Sequence, residues 1–476
     1  MSFITRVKRI FINRITLGVL MLMMYFAVLF FSWYTGASAV IKKDQWHYLS
    51  MLTEYFDTGF DSHLLTLRHG EHLQLAYNTW FFLNGILFGL NTQLELFIGL
   101  LFLGGFLVIL YKEFDTSLKP NSTLFQRQLM FVPILMIGLS FHQLVSFTYS
   151  LLSFGAFASE LLMIVFISLL SKFLTDRNAA NLLIPIMMLV FLCLGVGFAG
   201  GGWAIYFGAA IVTVCSWIIT HRPPKQKILI LGGGLLTMAV VTLWVNTVDA
   251  GRSLNTDSGL TYIFQHLDKV ASFMLLLLAN SILDINWFYK MDLVNWVYVT
   301  GAIVAGLYVM GIYLFYKTRM WEKTYAPFYL ISYFWITSLA LLLYRFPIFG
   351  ITGAAFPRYA TTLQIGLLGV LWVMIYWIRT LPRHKAGAMW VVVGLIAGVP
   401  YILNLWLAIQ QAPYIRQAET NAINMVLNEQ FDMRSAICPA EKLCRQGVVT
   451  LKEHRLNIYR DSQASPTNDQ NLLNHN

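Results

Sequence analysis

A single aspartate follows closely on the first long apolar run of the chain. Asp44 lies in the segment IKKDQWHYL, a few residues beyond the run over 15–36, so its carboxylate is expected at a membrane surface. Ionisable groups near membrane depth are functional candidates, and a carboxylate there suits a general base that takes a proton from a hydroxyl. The alternative is a solvated loop acid beside Lys42 and Lys43. Tyr48, a candidate binding residue, begins a set of apolar positions at helical spacing, which predicts an amphipathic helix on the membrane.

A second polar cluster stands directly before a short apolar stretch over 76–90. The segment LRHGEHLQ contains Arg68, His69, Glu71 and His72. Glu71 and His72 could bind a metal, orient a substrate hydroxyl or position a base. The spacing is not that of the HExxH zinc signature and no further ligand is evident, so neither a metal nor another cofactor is predicted. A hydrogen-bonded cluster at a helix start is the structural alternative.

Two further candidates lie at turns between apolar runs. His142 and Gln143 stand in LSFHQLVSFTYS, where an aromatic belt at the membrane interface is the simpler interpretation. Arg358 and Tyr359 stand in FPRYATTL at the start of a later run. A buried arginine at this position would offer a fork of donors that suits a phosphate, and the alternative is an arginine that reaches out to lipid headgroups.

The elements that position these residues are predicted to be membrane-spanning helices. The chain has 476 residues, of which 57% are hydrophobic and only 12% charged, and apolar runs of about 18 or more residues indicate spans. Long continuous runs predict an all-α polytopic bundle rather than a barrel of short alternating strands. Eleven runs stand out: 15–36, 94–112, 129–147, 154–172, 181–198, 203–220, 228–246, 294–316, 324–343, 360–378 and 388–410. Two shorter stretches, 76–90 and 271–283, are predicted to be interfacial or re-entrant helices.

The distribution of basic residues predicts the orientation. Eleven spans place the N-terminus and the basic loops in the cytoplasm, whereas 37–93, 247–293 and the tail after residue 410 face outward. The formal net charge of +10 is then explained by topology and contact with membrane lipids, and nucleic acid binding is not expected. The cytoplasmic loops leave no room for a nucleotide-binding domain.

The tail over 411–476 is predicted to be a small extracytoplasmic element beside a membrane domain over 1–410. Of the four cysteines, Cys438 and Cys444 lie in this tail, and a disulfide between them is plausible outside the cytoplasm. Residues 415–427 show the pattern of an amphipathic helix. The segment GVVTLKEHRLNIYR is interpreted as one or two short strands, and the polar end as disordered.

The arrangement resembles the C-type (GT-C) integral-membrane glycosyltransferases. Asp44 in KKDQWHYL stands where that family has a catalytic acid in its first outward loop, and 45–56 and 76–90 stand where it has interfacial helices. A set of bacterial members resembles the chain more closely, through HGEHLQ (69–74), SFHQ (140–143) and PRYATTL (357–363) in the same order. The chain departs from their first motif, because Leu73 replaces an arginine and Gly70 an asparagine; Arg68 is the nearest substitute.

The resemblance implies an inverting, hexosyltransferase-like enzyme of the bacterial inner membrane. Its donor would be a polyprenyl-phosphate-linked sugar and its acceptor a glycan or a lipid-linked glycan. Asp44 would be the general base, Glu71 and His72 would orient hydroxyls, and Arg358, with Arg68, would face the donor phosphate. His69, Tyr48, His142, Gln143 and Tyr359 complete the predicted binding residues.

Two alternatives stay open at this point. An O-antigen or capsule polymerase would use similar lipid-linked substrates, although its large outward loop commonly lies later in the chain. A flippase or another transporter of lipid-linked oligosaccharides would show internal repeats and a polar path through the membrane midplane. The sequence leaves the sugar, the acceptor, the linkage, the metal dependence, the oligomeric state and the organism undetermined.

Overall fold

The fold is described from a computed structural model. The structure describes residues 3–69, 72–119, 122–175, 202–220, 232–237, 239–240, 256–431 and 437–460. Helices dominate this part of the chain, which confirms the predicted all-α class. A minimal antiparallel ladder pairs β1 (Arg68–His69) with β2 (His72–Leu73).

The α-helices are numbered here in chain order. They are α1 (Phe3–Tyr34), α2 (Gln45–Thr58), α3 (Leu75–Phe88), α4 (Thr92–Leu118), α5 (Leu124–Gly138), α6 (Leu144–Thr148), α7 (Ser150–Thr175), α8 (Gly202–Thr220), α9 (Thr256–Gln265), α10 (Leu267–Asn280), α11 (Ile285–Lys290), α12 (Val294–Lys317), α13 (Ala326–Tyr344), α14 (Phe346–Phe349), α15 (Ala360–Ile378), α16 (Arg383–Leu427) and α17 (Glu441–Glu453). Short 3-10 helices include Ser62–Thr66, Phe141–Gln143, Met320–Glu322, Gly350–Ala355, Pro357–Tyr359 and Asn457–Tyr459.

Seven helical segments are long and apolar enough to cross a membrane. They are Thr92–Leu118, Leu124–Thr148, Ser150–Thr175, Val294–Lys317, Ala326–Tyr344, Pro357–Ile378 and Arg383–Leu427, and each overlaps one predicted run. Shorter apolar helices cover Gly18–Tyr34 and Ala204–Ile219, within two more. The run over 181–198 and most of the run over 228–246 lie outside the described residues. The chain is therefore a multi-helix protein with the features of a membrane protein.

Two stretches predicted to be interfacial or re-entrant form short helices. α3 and α10 have 14 residues each, which gives a length of about 21 Å, less than the hydrocarbon core of a bilayer. Helix α10 packs closely on α12, because Gly301 leaves room for the Leu275 carbonyl oxygen where any other residue would place a Cβ atom. Small residues at such crossings allow helix backbones to come close together in membranes.

A glycine at the crossing also allows α4 and α7 to pack closely together. A Cβ on Gly99 would lie 2.5 Å from the Ser153 carbonyl carbon, so a glycine is needed at this crossing. Since α4 and α7 begin at Thr92 and Ser150, the crossing sets their first turns side by side. These two first turns form the floor of the candidate site.

An outer layer, formed by α2, α3 and the tail over 437–460, covers that floor. Its members share an apolar cluster separate from the core of the bundle, which includes Trp46, Leu49, Phe81, Cys444 and Val448. Cys438 and Cys444 form a disulfide within it, as the sequence suggested. Helix α4 begins beneath this layer and has 27 residues, so it is about 40 Å long. The other end of the bundle, where α4 ends, is therefore about that far from the outer layer.

The prediction of short strands in GVVTLKEHRLNIYR is wrong. The first half of the segment belongs to α17, and the 3-10 helix Asn457–Tyr459 follows it. Cys444, Val448 and Leu451 are buried at helical spacing, and Gly447 lies against Trp46. Packing on α2 therefore overrides the local β preference of two valines and a threonine. The predicted helix over 415–427 is confirmed as the end of α16, which continues through residue 410, and the polar end over 461–476 lies outside the described residues.

Candidate functional site

Asp44 lies where α2 begins, on a segment that is held from two sides. The Tyr149 hydroxyl donates to the carbonyl oxygen of Lys42 at 3.0 Å, and the backbone N–H of Lys43 donates to the carbonyl oxygen of Ile437 at 2.6 Å. The Lys43 ammonium lies 5.8 Å from the centre of the Tyr149 ring. Asp44 itself is partly exposed. The backbone that carries Asp44 is thus fixed between the bundle and the tail.

A buried polar cluster lies directly beneath Asp44. Gln45 is fully buried, and its side-chain amide donates to the Ser150 hydroxyl at 2.8 Å and to the Glu95 carboxylate at 3.1 Å. Tyr77 donates to the same carboxylate oxygen at 2.9 Å, and the Trp80 indole donates to the other at 3.2 Å. We call these five residues the Glu95 cluster. It joins α2, α3, α4 and α7 at one point, which fixes the start of α2.

Glu95 was not predicted as a site residue. It is fully buried in the first turn of α4, where the helix dipole favours a carboxylate. A buried carboxylate must be hydrogen-bonded to be tolerated, and Gln45, Tyr77 and Trp80 supply the donors. The signal in the sequence was a lone acid at the beginning of an apolar run, TQLELF.

Tyr48 is buried near the charges of both Asp44 and Glu95. Its buried hydroxyl donates to the Gln74 side-chain oxygen, and its ring packs at 4.7 Å on the Tyr77 ring. Burial raises the pKa of Tyr48 above its usual value, and the nearby charges of Asp44 and Glu95 raise it further. The structure therefore brings the predicted residues Asp44 and Tyr48 together.

The histidine-rich segment lies only partly within the described residues. The backbones of Arg68 and His69 pair with those of His72 and Leu73, but Glu71 and the side chains of Arg68, His69 and His72 lie outside the described residues. The base of this hairpin is held by Asn78 of α3, which donates to the carbonyl oxygens of Leu65 and Leu67 at 2.8 and 2.7 Å. The hairpin thus joins the N-terminal end of α3.

His142 and Gln143 are buried at the junction of several helices. An imidazole nitrogen of His142 contacts the carbonyl oxygen of Asn280, and the Gln143 amide donates to the carbonyl oxygen of Gly138 at 3.2 Å. The Asn280 amide donates in turn to the carbonyl oxygens of Ala354 and, at 3.3 Å, Phe356. His142 is therefore linked, through Asn280, to the segment that carries Arg358.

Arg358 is exposed, so the expectation that it is buried is wrong. Its guanidinium lies 5.2 Å from the centres of the Phe356 and Tyr359 rings and donates to the Tyr359 hydroxyl at 3.3 Å. Stacking on two rings orients the guanidinium while its remaining donors face solvent. Arg358 lies in the short 3-10 helix Pro357–Tyr359, in which no residue is buried.

Helix α6 connects the two halves of the site. Its Ser146 hydroxyl and the Thr361 hydroxyl of α15 are 2.8 Å apart, close in sequence to Arg358. Tyr149, directly after α6, holds the Asp44 segment. The segment of α6 and Tyr149 thus contacts both the backbone before Asp44 and the helix that follows Arg358 and Tyr359.

Several buried amides near α6 have hydrogen-bonding capacity left over. Within the part of the chain that the structure describes, the side-chain oxygens of Gln143 and Asn404 and both amide atoms of Gln364 have no hydrogen-bond partner. The Asn404 amide nitrogen donates to the Ser140 hydroxyl at 3.2 Å, beside His142. Buried polar atoms are normally paired, so these amides are groups that a hydroxyl-rich ligand or water could satisfy.

A buried ion pair, also missed by the sequence interpretation, ties the site to the last long helix. The Lys42 ammonium pairs with the Glu419 carboxylate of α16, and the two side chains are only 14% and 7% exposed. Burial lowers the pKa of Lys42, and the Glu419 charge opposes that shift. Glu419 lies beyond the last predicted span, so its partner across the fold had no local signal.

We expect the outer layer to lose stability above about pH 10, the ordinary tyrosine pKa. The pKa of Tyr77 is raised well above 10.0, first by burial and then by the Glu95 charge, and that of Tyr48 is raised too. Both tyrosines ionise at a lower pH in the unfolded chain than in the folded protein. Their contribution to the free energy of unfolding is therefore complete below pH 10 and is lost as the pH rises towards their pKa values in the folded protein. Thermal melts between pH 8 and 11 test this: Tyr77→Phe should flatten the decline and the exposed control Tyr414→Phe should not. An identical decline in both variants would contradict it.

Among the described residues, no group of three or more His, Cys, Asp or Glu side chains is arranged to hold a metal ion. No protein-family model, curated protein or solved structure matches the chain. The fold and the site therefore define the protein as a multi-helix membrane protein with a polar site under a disulfide-bonded outer layer.

Proposed function

We propose that the protein is a membrane glycosyltransferase of the GT-C type. It moves a sugar from a polyprenyl-phosphate donor to a glycan or lipid-linked acceptor on the extracytoplasmic face of a bacterial inner membrane. In this proposal eleven helices cross the membrane, the N-terminus is cytoplasmic and the outer layer is extracytoplasmic. Residues 181–198 and 228–246 supply the spans that complete the count.

One observation carries the proposal. Asp44 is a partly exposed carboxylate on a backbone clamped by Tyr149 and Ile437, at the end of the bundle where α4 and α7 begin. A general base must be held within hydrogen-bonding reach of the proton that it removes. The buried Glu95 cluster, of which Gln45 is a member, provides that rigidity.

The disulfide supports the orientation. Cys438 and Cys444 are bonded in the layer that covers Asp44, and structural disulfides persist in oxidising compartments outside the cytoplasm. The basic residues of the loops, such as Lys119, Arg379 and Arg383, belong to the opposite end of the bundle, as the positive-inside rule requires of a cytoplasmic face.

In the proposed reaction, Asp44 takes the proton of an acceptor hydroxyl. The acceptor oxygen bonds to the anomeric carbon as the bond from that carbon to the phosphate oxygen breaks, and polyprenyl phosphate leaves with the electron pair. A single displacement of this kind inverts the anomeric centre. Arg358, oriented by Phe356 and Tyr359, offsets the charge on the leaving phosphate.

The remaining polar groups orient the sugars. The unpaired amide atoms of Gln143, Gln364 and Asn404 are proposed to bind donor hydroxyls on the Arg358 side of α6. Glu71 and His72, in the segment before α3, are proposed to orient the acceptor. Asp44 and Arg358 thus act on opposite sides of the sugar being transferred.

A donor assay with the purified full-length protein tests the proposal. Radiolabelled undecaprenyl-phosphate sugars and nucleotide sugars are offered in parallel, with a glycan extract as acceptor. We expect transfer from the lipid-linked donor and none from the nucleotide sugars. Extension of a lipid-linked glycan by whole repeat units would instead indicate a polymerase, and vectorial movement of such a lipid in proteoliposomes without transfer would indicate a flippase.

A further inference from the structure

A cavity of about 530 Å³ lies at the end of the bundle opposite Asp44. It is formed where α4 ends, where the connection between α12 and α13 passes, and where α15 gives way to α16. Lys119 at the end of α4 is more than 200 residues away along the chain from Lys323 and Arg379, so the cavity is a product of tertiary packing. The cavity shares no lining residue with the site under the outer layer.

Four cationic side chains line this cavity: Lys119, Lys323, Arg379 and Arg383. No acidic residue is among its described lining residues. Asp115, one turn before Lys119 on α4, is paired with Arg127 and, at 3.0 Å, with Lys119. Within the part of the chain that is described, Lys323, Arg379 and Arg383 make no ion pair with an acid. The cavity therefore holds a concentration of positive charge that the protein does not neutralise.

The Arg379 side chain is held in a fixed position. Its guanidinium donates to the carbonyl oxygen of Leu118 at 3.0 Å, which fixes it at the end of α4, and it is only partly exposed. Like charges held close together in a partly buried site cost free energy. Arginine offers several donors in a planar fork that suits phosphate oxygens, so a bound phosphate would relieve this cost.

The rest of the lining is amphiphilic. Ser122 and Thr380 add hydroxyls, whereas Met130, Leu381 and the indole of Trp390 supply an apolar wall. Tryptophan beside basic residues is typical of the headgroup level of a membrane. We propose that this cavity binds a phosphate-bearing anion at the basic, cytoplasmic end of the bundle, and that its occupant is the headgroup of an anionic phospholipid.

Thermal stability of the purified full-length protein in neutral detergent tests this site. Phosphatidylglycerol, phosphatidylcholine and inorganic phosphate are titrated separately. We expect phosphatidylglycerol to raise the melting temperature saturably and phosphatidylcholine to leave it unchanged. Saturable stabilisation by inorganic phosphate would support a phosphate-binding site that needs no lipid chain. If neither phosphatidylglycerol nor inorganic phosphate stabilised the protein, the proposal would be overturned.

Matched variants locate the effect. Lys323→Gln with Arg383→Gln removes two exposed cavity cations, neither of which makes an ion pair with a described acid. The double variant should raise the lipid concentration for half-maximal stabilisation about tenfold, which is about 1.4 kcal/mol. Lys385→Gln is the control, since Lys385 is exposed in the first turn of α16 and does not line the cavity. Equal weakening in the control and the double variant, or none in the double variant, would overturn the assignment.

Discussion

Replacing Asp44 with asparagine is expected to lower the rate of sugar transfer by about 10²- to 10⁴-fold, the usual contribution of a general base. Asparagine has the same shape as aspartate but takes no proton at neutral pH. The clamps on the backbone of residues 42–45 do not involve the Asp44 side chain, so the fold should be retained. Initial rates in lipid nanodiscs, at saturating lipid-linked donor, measure the effect.

Asp57→Asn is the matched control for this substitution. Asp57 lies on the same helix, α2, and is exposed near its C-terminal end, so the same chemical change is made outside the proposed site. Its rate should equal that of the wild type. A well-inserted Asp44→Asn variant that kept the wild-type rate would exclude Asp44 as the base, even if transfer from the lipid-linked donor were observed.

The second large effect is expected on stability. Lys42→Met should lower the free energy of unfolding by about 3–5 kcal/mol, because removing one partner of a buried ion pair leaves the other charge uncompensated. The Glu419 carboxylate would then be 7% exposed without its cation, and one of its oxygens already has no hydrogen-bond partner. Unfolding in mixed micelles with increasing dodecyl sulfate measures the change.

Two comparisons separate this effect from a general loss of packing. Lys42→Met combined with Glu419→Leu should recover most of the loss, since replacing a buried pair by apolar residues is often neutral. Lys452→Met removes a partner from the exposed pair of Lys452 and Glu429, whose side chains are both 42% exposed, and should have little effect. If Lys42→Met lowered the free energy of unfolding as little as Lys452→Met, the Lys42–Glu419 pair would not hold the segment before Asp44 to α16.

The sequence determined the elements and the class of protein. Apolar runs such as 294–316 and 324–343 became Val294–Lys317 and Ala326–Tyr344, because a stretch of that length and hydropathy has few stable alternatives in lipid. The shortness of 76–90 and 271–283 likewise indicated short helices, and the helices found there have 14 residues each. Asp44 and Tyr48 are four positions apart at the start of one helix, so their proximity follows from local structure. All of these signals are local in the chain.

The tertiary structure decided which polar groups meet. Lys42 and Glu419 pair across 377 residues, Gln45 reaches Glu95 and Ser150, and Arg358 is exposed over two rings. α17 is a helix because α2 offers it an apolar face, although its residues favour strands locally. Hydropathy and helical periodicity are summed along one segment, whereas hydrogen bonds and ion pairs depend on distances between segments. For that reason the helices could be predicted from the sequence, and the polar contacts that build the site could not.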